Sequence, residues 1–434
     1  MGKVKTGMNN RSKKRVFVAM SGGVDSSVAA LLLKKQGYDL AGVFMRCFNV
    51  DGCAEKDAED ARRVAEKLDI PFYVWDFEKE YKKKVVWYMV GGYRRGLTPN
   101  PDVMCNKEIK FGLFLKRALE LGADFVATGH YVRITSANNE SSTNLRIRKF
   151  SARGGSAFGG EPNSLFVDGI RYSLMAARDS NKDQSYFLWT LTQKQLKHCL
   201  FPIGDYAKTE VRKIARKAGL PTADKKDSQG ICFLGKVTLQ DFLKTYIPEK
   251  RGEVLTASGD KIGEHSGAQF YTIGQRHIGI MNYESGIKGR RETRPYYVSE
   301  KDVRTNTLIV ADGNDNPALY KKEIKLTDVN FISPVIHNSN FIIPVMARVR
   351  YRQPLASAHL RISANDESHT NKRIRGKFVN SRQIRYSLIF DKPQKFVAKG
   401  QSAVFYINEY PSSPSARSGR SSGELRMLGG GVII

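Results

Sequence analysis

The chain predicts an α/β protein. A doubly wound parallel sheet stands at the N-terminus, followed by a small mixed central domain and a C-terminal antiparallel β-barrel. Three observations carry that expectation. Residues 16–130 alternate short apolar runs with helical apolar spacings, the pattern of parallel strands joined by crossover helices. The first apolar run, 16–20, breaks at Ser21-Gly22-Gly23 and passes straight into a helical pattern. From Gly252 onward the texture changes to short β-type runs separated by Gly, Asn and Asp.

The first strand and its turn come first. Val28, Leu31 and Leu32 follow at helical spacing, so strand, glycine turn and helix make an anion site. Glycines let the backbone approach a phosphate closely, and the free N–H groups and dipole of a helix start favour negative charge. Ser21, Ser26 and Ser27 add hydroxyls, and Asp25 stands where it can cap the helix or help hold Mg²⁺. The Gly-Lys-Ser/Thr ending of the commoner nucleotide loop is missing. A two-glycine turn alone would read as plain structure; the full hexapeptide between strand and helix favours phosphate.

Further strands are expected at 40–45, 71–76 and 124–128. Helices are expected at 54–68, with Ala58, Ala61, Ala65 and Leu68 on one face, and at 78–93 and 107–121. Ligands of such sheets bind beyond the carboxyl ends of the strands, an edge that collects the glycine loop, Met45 and Gly129-His130. The Ser, Asn and Gly-rich segment 135–165, with Arg146, Arg148, Lys149 and Arg153, reads as an extended hairpin or a disordered insert. Helices follow near 192–199, at 208–218 before Gly219 and Pro221, and at 236–246. The β-type runs are 272–273, 295–298, 307–310, 345–352, 386–390 and 402–407, with polar inserts at 363–383 and 411–423. The expected domains are 1–202, 203–292 and 293–434.

Composition bounds the function. A chain of 434 residues accommodates two or three domains, and no run approaches the length of a membrane helix. The polar, basic N-terminus lacks the apolar stretch of a secretory signal, so the cytoplasm is expected, with a transit peptide left open by the charge; a monomer is expected as well. The net charge of +28 points to a polyanionic partner, nucleic acid ahead of a merely basic surface. The cysteines are Cys47, Cys53, Cys105, Cys199 and Cys232. Their odd number and the lack of Cys-x-x-Cys argue against a disulfide framework or a zinc ribbon, and no metal site is expected of the protein's own ligands.

Two stretches carry chemistry beyond the glycine loop. In 100–111, Pro101 fixes a turn-like approach and Cys105 sits just ahead of the helix containing Ile109 and Phe111. A helix N-terminus with Lys107 and Lys110 nearby stabilises a thiolate, and Asp102 can exchange a proton with a reacting group. A lone cysteine is usually a small buried apolar residue, but this polar, proline-flanked setting argues otherwise. In 227–235, Cys232 lies between two glycines in a turn-rich loop. A mobile sulfur carrier and a cysteine packed beside Ile231 and Phe233 are equal readings from that stretch alone.

The hexapeptide Ser21–Ser26 resembles the pyrophosphate loop (PP-loop) of ATP pyrophosphatases, which are HUP-like in fold. With the other stretches, the chain resembles the bacterial and mitochondrial tRNA-specific 2-thiouridylases. The matching stretches are 19–26, 98–111, 127–132, 181–187, 226–232, 274–276, 349–353, 400–406 and 428–431. The resemblance runs from about residue 16 to the end, apart from the three polar inserts. It implies replacement of O2 of the anticodon wobble uridine by sulfur, with ATP and Mg²⁺ as cofactors. It also implies tRNA as partner and a cysteine desulfurase or sulfur-relay protein as sulfur donor. Cys105 falls on the nucleophile, Cys232 on the persulfide carrier and Asp102 on the acid/base. Ala19, Met20, Ser21, Gly22, Gly23, Val24, Asp25, Ser26, Met45 and Gly129 fall on ATP-contacting positions. Asn100, Pro101 and Asp102 match the target-base loop, and His130, Lys182, Asp183, Gln184, Arg350, Tyr351 and Gln401 match tRNA-contacting positions. One route for the sulfur ends in a Cys105–Cys232 disulfide. Cys47 and Cys53 lie outside the pattern and read as incidental thiols, and Cys199 reads as a core residue of an apolar helix. A PP-loop enzyme acting on a small molecule, or an RNA-binding protein with a relic loop, are the competing readings; neither needs both the two thiols and an intact loop.

Overall fold

The computed structural model describes residues 13–48, 50, 52, 54–136, 148–149, 172–227, 230–231, 233–235, 237–276, 278, 294–332, 341–364, 373–374, 377–378, 384–409 and 424–434. The expectations for Cys53, Cys232 and most of the three polar inserts fall outside them.

The N-terminal sheet follows from its apolar runs. Strands β1 (Arg15–Ala19), β2 (Asp39–Arg46), β3 (Phe72–Asp76) and β4 (Phe125–Ala127) join the short strand Cys199–Leu200 in the order β3-β2-β1-β4 and then 199–200, all parallel. In β1, Val16 and Val18 face a core shared with helix α1 (Val24–Lys35), helix α2 (Ala54–Lys67) and the helix Lys208–Lys217. Phe17 and Ala19 face the opposite core, with Trp75 and the helical stretches 78–94 and 101–120. Burial on both faces explains why β1 reads as a continuous apolar run rather than an alternating one. Burying each such Val side chain contributes roughly 1.5–3 kcal/mol. β2 and β3 wind to one side of β1 and β4 to the other, so the residues after β1 stand at the topological switch point.

Several elements differ from the expectation. The helix expected at 107–121 begins at Pro101, because Pro101 fits the first helical position and the Asn100 side chain accepts from the N–H groups of Asp102 (3.1 Å) and Val103 (3.2 Å). The helix expected at 192–199 is only the turn Gln193–Leu196, capped by Thr192. Cys199 lies instead in the edge strand, buried, its thiol donating to the Gln195 carbonyl at 3.1 Å. Segment 135–165 opens as a strand, Val132–Ser136, paired antiparallel with Tyr172–Ala176. Its backbone at 148–149 pairs with Phe341 and Ile342 of the barrel, and the rest of the expected insert lies outside the described residues.

The second unit is a four-stranded sheet of Lys261–His265, Gly252–Thr256, Thr307–Asp312 and Tyr296–Asp302. The hairpin 296–312 therefore pairs with the middle unit, whereas the sequence boundary at 293 assigned it to the barrel; local apolar pattern does not say which sheet a strand joins. Residues 272–273 form a turn, not a strand. The third unit is a barrel of Tyr320–Phe331, Ile384–Lys395, Ala356–Ala364, Phe341–Arg348, Ser402–Glu409 and Glu424–Ile433, closed by pairing of its first and last strands. The strand expected at 345–352 ends at Arg348, leaving 349–353 as a turn in which Arg352 adopts a left-handed φ of 65°. The 172–176 hairpin adds to the barrel's last strand, so the first and third units share a sheet.

Candidate active site

The loop after β1 is held in shape from within. Ser26 Oγ donates to the Gly23 carbonyl (3.1 Å) and accepts from the Ser21 N–H (3.1 Å), while Ser27 Oγ donates to the same carbonyl (2.8 Å). Gly22 has φ 70°, and a Cβ there would collide with the Asp57 carbonyl of α2. A Cβ at Gly129 would lie 2.6 Å from the Ser26 amide nitrogen. Both glycines are therefore required for this loop to lie between α2 and the 129 turn. The first amide groups of α1 have no acceptor within the helix and stand at the switch point.

Asp25 does not cap α1; Gly23 is the N-cap and no side chain bonds there. Its carboxylate instead accepts two bonds from Lys208 Nζ, both 2.8 Å, and one from the Tyr131 hydroxyl at 2.7 Å. Lys208 also pairs with Asp227 (2.8 Å), which is held in addition by Arg212 (2.7 Å) and Lys182 (2.8 Å). Desolvation alone would raise the Asp227 carboxyl, but Lys182 and Lys208 outweigh it and bring it to about 2. Burial and the nearby Asp25 push the Tyr131 hydroxyl up, so it stays a donor. Just upstream, Lys225 bridges Asp57 (2.7 Å) and Asp60 (2.6 Å) of α2. This lattice joins the loop after β1 to the segment that leads to Cys232, itself outside the described residues. Sequence reasoning missed Tyr131, Lys208, Arg212 and Asp227 as a set. The available signal was the i, i+4 spacing of Lys208 and Arg212, which puts both on one helix face.

The second centre is the start of helix 101–120. Asn100 is its cap, Asp102 lies in the first turn, and Cys105 is buried one turn further on. Burial raises the Asp102 carboxyl and Lys110 only partly opposes it. Met45, at the end of β2, is half-buried against the same core.

The expected tRNA contacts divide. Lys182, Arg350 and Tyr351 retain partial exposure, with Tyr351 packed on Phe187 at 4.4 Å between ring centres. His130 is buried between Phe111 and Phe201, its Nδ1 bonded to Thr128 Oγ1 at 2.7 Å. Burial, with Lys110 nearby, depresses it well below the usual imidazole range, so the ring is neutral and cannot act as a counter-charge to phosphate. Asp183 is 4% exposed and fully engaged. It accepts from the N–H groups of Ala177 and Ser185, from Ser185 Oγ and from Arg348 (3.0 Å) of the barrel. Gln184 accepts from the Tyr131 N–H at 2.9 Å. Gln401 donates to the Thr98 carbonyl at 3.0 Å. Asp183, Gln184 and Gln401 thus spend these bonds within the protein.

Among the described residues no helix is long and apolar enough to cross a membrane. No three His, Cys, Asp or Glu side chains gather there to hold a metal ion. A parallel sheet with a glycine loop at its switch point, a middle β unit and a closed barrel define a HUP-type α/β protein with two β appendages. Three family models match in that order: the tRNA methyl transferase HUP domain over 14–159 and 163–236, the PRC-barrel domain over 240–312, and the aminomethyltransferase β-barrel domain over 321–410. A tRNA-specific 2-thiouridylase of Geobacillus kaustophilus is 42% identical over 92% of this chain and 93% of its own length. One of Shouchella clausii is 40% identical over 98% of both chains. The chain belongs to the tRNA-specific 2-thiouridylase family.

Proposed function

We propose that the protein uses ATP to replace O2 of the tRNA wobble uridine by sulfur. The observation that carries the reading is the ion-pair lattice through Lys208 and Asp227, which joins an anion-binding loop to the segment leading to Cys232. The C2 carbonyl of uridine is a poor electrophile and its oxygen a poor leaving group. Adenylation of O2, with pyrophosphate departing, makes that oxygen part of AMP. Ser21, Gly22, Gly23 and the α1 amides hold the departing phosphates. Asp25 accepts from Lys208 and Tyr131, and it is the carboxylate of this loop that would face a cation bound with the phosphates. Mg²⁺, when bound with ATP, would supply positive charge to the phosphates.

Sulfur is carried as a persulfide on Cys232. In one route its terminal sulfur attacks C2 with AMP leaving, and the Cys105 thiolate then takes the Cys232 sulfur to break the S–S bond and free the thiouridine. In the other the Cys105 thiolate first attacks the inner sulfur, and the hydrosulfide released displaces AMP from C2. Either route leaves a Cys105–Cys232 disulfide and requires an external thiol to reduce it. Asp102, held above the usual carboxylate range, suits proton exchange. The uridine must leave its stack to reach this site, and the net charge of +28 favours holding the tRNA by its phosphates. We further propose a cytoplasmic monomer supplied by a desulfurase or relay protein, with three domains, the middle one including hairpin 296–312, dividing chemistry, linkage and tRNA grip.

Cys232→Ser is expected to abolish thiolation while ATP and tRNA binding stay nearly unchanged. Retained thiolation with a persulfide donor would remove the carrier role.

A further inference from the structure

Residues 97–100 lead directly into the helix that carries Asp102 and Cys105, and a barrel loop closes over them. The Thr98 N–H donates to the Lys399 carbonyl at 2.7 Å, and Gln401 Nε2 donates to the Thr98 carbonyl at 3.0 Å. Both backbone groups of Thr98 are therefore held by the loop 396–401. Gly400, with φ 90°, lies so close that a Cβ there would come within 2.9 Å of Leu97 Cβ and of the Thr98 nitrogen.

The loop is itself anchored on both sides. Gly400 N–H donates to the Ile433 carbonyl (2.8 Å) and Ile433 N–H to the Gln401 carbonyl (2.9 Å), which fixes the loop to the last barrel strand. The Tyr186 hydroxyl donates to the Ser402 carbonyl at 2.8 Å. At the other end Phe396 holds a left-handed φ of 57°, packs against Gly274 of the middle unit, and meets the Tyr297 ring at 5.7 Å. The middle unit also touches the turn before Thr98, where Val303 lies against Gly96.

We propose that the barrel loop 396–401 is a clamp that positions the reacting segment 98–105, and that Gln401 is its positioning residue, acting through Thr98. The inference rests on the reading that Asp102 and Cys105 react at the uridine. Gln401 and the Lys399 carbonyl set the path of the chain into Asn100. Asn100 in turn caps the helix and fixes the rotation at which Asp102 and Cys105 are presented. A misplacement of this kind costs rate at the reacting centre while leaving the phosphate-contacting surface intact.

The test uses the full-length protein with Gln401→Ala, Gln401→Lys and Gly400→Ala. Steady-state thiolation is measured alongside alkylation of Cys105 by iodoacetamide, mapped by peptide mass. Gln401→Ala is expected to lower kcat about tenfold with KM for tRNA unchanged, and to speed alkylation of the buried Cys105. Gln401→Lys retains a donor for the Thr98 carbonyl and is expected to restore both readouts. Gly400→Ala is expected to exceed Gln401→Ala in both. A raised KM for tRNA with kcat unchanged would overturn the proposal and make Gln401 a tRNA contact. Unchanged alkylation in Gln401→Ala, or no rescue by Gln401→Lys, would overturn it as well. The alkylation arm stands even if the wild-type chain proves to thiolate nothing, so failure of the clamp and failure of the proposed reaction are told apart.

Discussion

The proton chemistry proposed for Asp102 comes with a measurable cost. Burial raises its carboxyl, so the folded state binds a proton more tightly than the unfolded chain. Stability from this group is present at low pH and is lost as pH rises from the ordinary carboxylate value, 3.8, through the raised one. Asp102→Asn is expected to remove that slope from a urea-unfolding series across acid pH and to slow thiolation by about 100-fold or more. A variant that keeps the wild-type rate would end the acid/base role. Gly22 answers a different question. Its left-handed backbone and the collision awaiting a Cβ with Asp57 mean that Gly22→Ala must deform the loop. It is expected to abolish tRNA-dependent pyrophosphate release while tRNA still binds in filter assays. Asn100, Asp102 and Cys105 were legible as a cluster because they lie within six residues beside Pro101, but the helix start was not: the Asn100 cap and Pro101 begin it six residues before the apolar periodicity at Ile109 and Phe111 suggested. Tyr131 and Lys208 were not, because each is an ordinary residue until the fold brings it to Asp25 across a separation of 106 and 183 positions respectively. Asp183 misled for the converse reason: a motif residue can be spent on an internal ion pair, and burial is not written in the motif.

At the scale of elements, the lattice around the helix Lys208–Lys217 joins the loop after β1 to the segment leading to Cys232. Lys208→Met leaves Asp25 and Asp227 without their shared cation, at a cost of about 1–3 kcal/mol. It is expected to slow pyrophosphate release with tRNA affinity intact; an unchanged release rate would reduce the lattice to scaffolding. Asp227 has its carboxyl depressed to about 2, so its contribution is present above the ordinary 3.8 and lost as pH falls toward 2. The strand Tyr296–Asp302 carries the opposite case. Lys301 is half-buried beside Tyr93 and donates to the Tyr271 carbonyl at 2.6 Å, and desolvation of its amine lowers it from 10.5 to about 8. The folded state then disfavours its charge, so stability rises between pH 8 and pH 10.5 as the folded form sheds the proton first. Lys301→Met is expected to flatten that rise by up to about 3 kcal/mol in urea unfolding. An identical pH profile in wild type and variant would show that the amine is solvated. The parallel sheet was legible because its strands are apolar throughout. The membership of hairpin 296–312 was not, because a half-buried strand reads the same whichever sheet it joins.

For the whole molecule, the net charge of +28 predicts a tRNA interaction dominated by phosphate contacts. Each neutralised phosphate contributes roughly 0.9 to the log–log salt slope for duplex nucleic acid. Neutralising the cationic residues of 146–153, or those of 372–377, is expected to flatten that slope and weaken binding while thiolation at saturating tRNA persists. An unchanged slope would assign tRNA binding to the motif positions alone. Lys182→Ala should behave differently, lowering the saturated rate through its bond to Asp227. The measurement that bears most directly on the reaction is the mass of the wobble uridine after incubation of tRNA with the protein, ATP and a persulfide source. The expected result is replacement of one oxygen by sulfur at that nucleoside, dependent on ATP and lost in Cys105→Ser. An unmodified uridine with the wild-type protein, or undiminished thiolation by Cys105→Ser, would contradict it.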